Sequence, residues 1–244
     1  MRAILTYHSI DASGSPISID AVSFARHVDF LASGKVRVVP LAEIEAARDA
    51  DDVVAITFDD GLVNFENEAW PLLAERGLPA TLFVVTGRVG KDNAWQGERD
   101  PRVPHVELLG WDALGKLAAQ GLELGAHSRT HPHLEHISDA RQVDEIEGAA
   151  DDLLRYAGKR PHSFCYPYGT LDERAVARTA RTYRRACTTE LAVLDGRESA
   201  HRLPRLDAFY LRGAGRLESF GELAFRVRIQ VLRAARNLRA RLRK

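Results

Sequence analysis

Short apolar runs alternate along the chain with stretches whose apolar residues recur every three or four positions. Residues 3–7, 53–58, 80–85, 122–126, 162–166, 184–188 and 203–206 are runs of the first kind and predict strands. Between them lie helical patterns. Residues 23–32 place Phe24, Val28 and Leu31 on one face, and residues 65–76 and 111–120 stop at Gly77 and Gly121. Residues 138–156 open on a capping Ser138, and residues 172–181 follow a Gly169-Thr170 turn. Such alternation predicts a parallel sheet with helices outside it. Each cluster of chemically active residues follows a strand end, which is where barrel active sites lie. The expected fold class is therefore α/β, a distorted (β/α) barrel of about seven strands over residues 1–215, followed by a C-terminal basic amphipathic helix over 216–244.

The most informative stretch is Thr57-Phe58-Asp59-Asp60-Gly61. Two adjacent carboxylates repel each other, and a buried strand that delivers both needs a cation nearby. Two imidazoles follow another strand, in His127-Ser128-Arg129-Thr130-His131. One carboxylate with two imidazoles makes a three-ligand site with an open position, the arrangement of a hydrolytic metal centre rather than a closed structural one.

These segments resemble the first two motifs of the polysaccharide deacetylases, also called the NodB-homology family or carbohydrate esterase family 4. Phe164-Cys165-Tyr166-Pro167-Tyr168-Gly169 looks like the third. The resemblance implies a NodB-type barrel in which Asp60, His127 and His131 bind a divalent metal while Asp59 stays off it as general base. The Asp-His-His donor set points to zinc as the ion, and cobalt, nickel or iron would fit it too. The resemblance also implies removal of N-acetyl groups from an amino sugar, either in a polysaccharide or in its lipid- or nucleotide-linked precursor. Tyr166, Pro167 and Tyr168 would form a substrate wall, with the Tyr168 N–H helping to hold the oxyanion. Deformylation of a lipid-linked amino sugar is an alternative, and a non-catalytic, carbohydrate-binding or membrane-associated relative is another.

Two departures from the family pattern matter. The C-terminal Leu-x-x-His motif that supplies the acid histidine is missing, since the last histidine is His201. His8, after the first strand in Leu5-Thr6-Tyr7-His8-Ser9, resembles the opening of the poly-N-acetylglucosamine deacetylase subgroup and is assigned as the acid. The arginine that usually orients the base has Cys165 at its apparent position, and Arg205, from the run Leu203-Pro204-Arg205-Leu206, is expected to replace it.

Composition changes this picture at one place. Lys+Arg and Asp+Glu both total 34, yet every charged residue from Arg226 onward is basic. The apolar residues there keep helical spacing, so the tail is expected to suit an anionic membrane surface. Without aromatic interleaving it does not suggest nucleic-acid binding. Residues 87–104 are polar and contain Trp95, which suggests a mobile loop beside the site with an aromatic able to stack on a sugar. Cys165 and Cys187 are expected as reduced core residues. The first residues are too soon polar for a signal peptide, and no run reaches the ~18 apolar residues of a membrane span, so the expected location is the cytoplasm.

Overall fold

The structure, a computed structural model, describes residues 1–47, 52–95 and 101–242. In chain order it begins with β1 (Arg2–Tyr7), a small pair β2 (Ser9–Ile10) and β3 (Ser18–Ile19), α1 (Ala21–Ala32) and β4 (Arg37–Val38). Next come β5 (Val53–Phe58), α2 (Trp70–Glu75), β6 (Ala80–Val84), α3 (Trp111–Ala119), β7 (Glu123–Ala126) and α4 (Asp139–Ala157). The chain continues through β8 (Ser163–Cys165), α5 (Glu173–Thr182), β9 (Arg185–Leu191) and β10 (Leu203–Asp207), and closes with α6 (Leu223–Leu242).

The strand neighbours run β1-β10-β9-β8-β7-β6-β5, all parallel. β1 then pairs with β5 along its whole length, from Arg2↔Val53 to Tyr7↔Phe58, and this closes a ring of seven strands. The seven predicted strands are these seven. β4 was not foreseen; it adds to the first two residues of β5, below the point where β6 begins to pair at Ile56.

Period-two alternation sorts every strand into an inner and an outer set. Ile4, Val53, Ala55, Phe83, Cys165, Cys187 and Leu203 pack together inside the barrel. Ala3, Leu5, Tyr7, Val54, Ile56 and Phe58 face outward into the helix layer. Gly125 falls on the inner set, where a Cβ would meet Phe83 Cδ1 at 2.5 Å, so only glycine fits. The same alternation turns Arg205 within β10 inward and, continued one residue past the ends of β1, β5 and β7, turns His8, Asp59 and His127 inward over the same mouth of the barrel.

Outside, α4 starts at Ser138, whose side chain accepts from the Arg141 N–H, and ends at Gly158 with φ 73°. Its buried face, with Ile146, Ala149, Ala150 and Leu153, packs against Phe164 and Tyr183. Fully burying a side chain such as Ile146 or Leu153 contributes about 1.5–3 kcal/mol. The predicted helix over 65–76 begins differently from expectation. Phe65–Ala69 form a π-helical turn in which the Trp70 N–H bonds the Phe65 carbonyl. Pro71 explains this, because its ring lacks an N–H and crowds the carbonyl four residues back, so the turn widens. α6 packs its first half onto the outer layer through Phe225 and Ile229, in the same core cluster as Tyr7 and Phe24.

Candidate active site

The ladder between β1 and β5 continues one residue past β5, with the Asp59 N–H donating to the Tyr7 carbonyl at 2.9 Å. This fixes Asp59 as an inward residue. Asp60 then turns with φ 74°, a left-handed conformation that non-glycine residues rarely adopt. Among the described residues the non-glycine positions with positive φ are Asp60, Ser128, His131 and Tyr168, and all four lie in the three motif loops. Each costs on the order of 1–3 kcal/mol, which the surrounding structure must hold in place.

Arg205 grips Asp59 from β10. Its Nη1 donates to Asp59 Oδ1 and its Nη2 to Asp59 Oδ2, both at 2.7 Å, while its Nε donates to the Thr188 carbonyl at 3.0 Å. Nη1 also reaches Thr57 Oγ1 at 3.2 Å and Nη2 the Cys165 sulfur at 2.9 Å. The pair is buried. Burial alone would push the Asp59 carboxyl up, but the charge and hydrogen bonds of Arg205, with His8 and His127 nearby, hold it well below the usual carboxylate range. His8 faces the same carboxylate, with Nε2 at 3.6 Å from Asp59 Oδ2.

Asp60 faces the other way. Its Oδ1 lies 3.5 Å from His127 Nε2 and 3.5 Å from His131 Nε2. His127 donates from Nδ1 to the Cys165 carbonyl at 2.8 Å, so its Nε2 keeps a lone pair for Asp60's side. Burial pushes both imidazoles down and keeps them neutral, the form that donates to a metal. Burial pushes the Asp60 carboxyl up, and Asp60 Oδ1 is buried with no hydrogen-bond partner. Donor atoms about 2.1 Å from a tetrahedral ion lie about 3.4 Å apart, which is close to the spacing here. A buried, orphaned carboxylate oxygen between two neutral imidazoles is a donor set that fits a divalent cation. Asp59 and Cys165 also approach His127, but Arg205 already fills the space between those two.

The loop joining the two histidines is held from α4, which sequence reasoning missed. Glu145, buried in mid-helix, accepts from the Arg129 N–H at 2.9 Å, the Thr130 N–H at 2.8 Å and the Thr130 hydroxyl. Ser128 Oγ accepts from the His131 N–H at 3.0 Å, and Arg129 forks onto Asp152 at 2.8 and 2.6 Å. Glu145→Ala should weaken zinc affinity roughly 10–100-fold, while Glu145→Gln, which still offers an oxygen to the two N–H groups, stays near wild type. Zinc titration of the two variants checks this.

Arg205→Ala should lower turnover on the order of 100-fold by releasing Asp59, with the content of divalent metal unchanged. Full activity in that variant would remove Arg205 from the site. An accompanying fall in Tm is expected, because the buried Asp59 carboxylate loses its partner.

A cavity of about 840 Å³ opens over these groups. His8, Asp59, Asp60, His127 and His131 form its floor, and Trp95, His105, His133, Tyr168 and the Pro16-Ile17 segment line its walls. Trp95 stacks one face on His131 at 4.4 Å, so that face serves the site's own packing. Tyr168, 43% exposed, stacks on His133 at 4.0 Å and meets His131 edge-on at 4.5 Å. Pro167 is buried in the turn beneath Tyr168. The Tyr166 side chain is also buried, and its hydroxyl donates to the His201 carbonyl at 3.1 Å. The loop expected to be mobile is pinned on both flanks, since Asn93 Nδ2 donates to the Pro104 carbonyl at 2.9 Å and Asn93 Oδ1 accepts from the Val106 N–H at 3.0 Å. Residues 96–100 of that loop lie outside the described residues. Both cysteines are free and buried, as expected.

The sequence pattern of the family described as polysaccharide deacetylase matches residues 46–186, more than half of the chain. The chain belongs to the polysaccharide deacetylase family. The matched segment contains Asp59, Asp60, His127 and His131, whereas His8 and Arg205 lie outside it. YxkH of Bacillus subtilis, which carries a polysaccharide deacetylase name, is 23% identical over 193 residues, covering 77% of this chain and 64% of its own. The poly-β-1,6-N-acetyl-D-glucosamine N-deacetylase of Staphylococcus aureus is 24% identical over 129 residues, or 49% of this chain and 41% of its own. The chain thus spans less than two thirds of these curated relatives. Among solved structures, IcaB from Ammonifex degensii has the same fold, with a TM-score of 0.72 and 23% identity over 86% of this chain and 94% of that one.

Proposed function

We propose that this deacetylase-family chain hydrolyses the N-acetyl amide of an amino-sugar polymer and releases acetate. The observation that carries the reading is the division of two adjacent carboxylates. Asp60 points its orphaned oxygen at His127 and His131, while Asp59 is clamped by Arg205 and faces His8.

Asp60, His127 and His131 would hold a divalent ion, zinc by the character of the donor set, which polarises a carbonyl and acidifies water when bound. Arg205 keeps Asp59 ionised and oriented, so Asp59 accepts the proton as water attacks the amide carbon. His8 gives a proton to the departing sugar nitrogen as the C–N bond breaks. Products are acetate and a free amine. Tyr168 and the exposed side of Trp95 offer aromatic faces to a sugar ring at the rim. The substrate class follows the relatives' names. The staphylococcal relative is named for poly-β-1,6-N-acetyl-D-glucosamine, and a polymer of that kind suits an open cavity of this size.

Protein loaded with zinc should release acetate from N-acetylglucosamine oligomers, lose that activity to a chelator and recover it on readdition of zinc. Formate release from an N-formylated sugar, without acetate from any N-acetylated one, would replace this reading with deformylation. A chain that binds zinc but releases neither acid from oligomeric, lipid-linked or nucleotide-linked sugars would be a binding protein.

A further inference from the structure

α6 is apolar on two sides. Phe225, Ile229 and Leu232 turn toward the barrel. A surface helix normally carries polar residues on its other face. Here Leu223 (76% exposed), Val227 (49%), Val231 (62%) and Leu238 (59%) stand in solvent. Their spacing of four, four and seven residues puts them in one line along the helix. The helix contains no acidic residue. At ~100° per residue, Arg226 and Arg233 flank the line on one side, and Arg228 and Arg239 flank it on the other. Arg233 is engaged with Glu190 and Arg228 with the Arg216 carbonyl.

An apolar line bordered by arginines on both sides matches the boundary of a lipid layer. The apolar side chains enter the acyl region, the arginine stems lie along it, and the guanidinium groups reach the phosphates. A second copy of the chain fits worse, because pairing two such faces would bring two sets of arginines together with no acid to offset them. We propose that α6 lies flat on an anionic phospholipid bilayer. No described helix is long and apolar enough to cross a membrane, so the contact is interfacial. Arg236 and Asn237, from the same helix, line a cleft of about 360 Å³ together with Thr189. Thr189 also lines the catalytic cavity. Arg236 falls on the barrel-facing side of the helix with Phe225 and Ile229, so this cleft lies between α6 and the barrel, on the side away from the exposed apolar line.

The test is co-sedimentation of the full chain with phosphatidylcholine vesicles made with and without phosphatidylglycerol. Partition onto the anionic vesicles should be at least ~10-fold stronger at low salt and should weaken as salt rises. The combined variant Leu223→Ser, Val227→Ser, Val231→Ser and Leu238→Ser should lose at least ~10-fold in partition. Its zinc content and its turnover of a soluble substrate should not change. Arg226→Gln with Arg239→Gln should remove most of the preference for anionic lipid. The proposal fails if the protein ignores both vesicle types, binds them equally, or binds unchanged in the serine variant. It also fails if sedimentation without vesicles shows a dimer that the serine variant abolishes, since a second copy would then cover the line. None of these readouts depends on turnover, so the surface and the deacetylase reading stand or fall separately.

Discussion

Asp59→Asn should lower kcat about 1,000-fold or more while leaving the content of divalent metal unchanged. The asparagine keeps the shape of the carboxylate and loses its ability to take a proton. Arg205 makes the substitution informative. Its fork takes one lone pair of each Asp59 oxygen at 2.7 Å, which holds the carboxylate in place and leaves a second lone pair on each oxygen to receive a proton. The variant should also unfold at lower temperature, because a buried guanidinium loses its counter-charge, at a cost of about 3–5 kcal/mol. Thermal unfolding of zinc-loaded protein separates that cost from the catalytic one. Retained turnover in folded, zinc-loaded Asp59→Asn would remove Asp59 as the base.

His127→Ala should have the opposite signature, losing affinity for a divalent metal by more than ~100-fold and turnover with it. Removing only an outer partner of a metal ligand costs roughly 10–100-fold, so removing the ligand costs more. The two imidazoles are held in different ways. His127 Nδ1 is tied to the Cys165 carbonyl, whereas His131 Nδ1 is buried with no partner and its ring is held by Trp95, Tyr168 and a strained backbone. Inductively coupled plasma spectrometry on the two variants side by side checks the contrast. Equal metal loss in Asp59→Asn and His127→Ala would mean that both carboxylates share the ion.

The sequence showed what depends on local pattern. The barrel strands are short apolar runs, and their alternation alone turns Asp59, His127 and Arg205 toward a common mouth. Arg205 could be named from its place in the run Leu203-Pro204-Arg205-Leu206, and the structure sets it one alternation step beyond Leu203, on the same inner face. What stayed hidden depends on contacts between distant segments. Glu145 looks like any acidic residue of a solvated helix, and only the packing of α4 shows it holding the Arg129-Thr130 turn. His105 and the Pro16-Ile17 segment reach the cavity from loops whose path no periodicity reveals. Trp95 looked like a platform for sugar, but one of its faces is already taken by His131. The π-helical turn at Phe65–Ala69 was marked by Pro71, a signal that was present and not used.

The closing pair of the barrel has one more implication. β1 lies between β10 and β5, so Arg205, His8 and Asp59 stand on three consecutive staves although about 200 residues separate the first two along the chain. A histidine delivered by the opening strand therefore reaches the same side of the mouth as one delivered by a segment near the other terminus. The protein could be recut, with its first strand transplanted behind its last, and every neighbour around the circle would be preserved. Which side chains meet over the mouth is set by the order of staves in the cask, and that order survives the recutting of the thread that builds it.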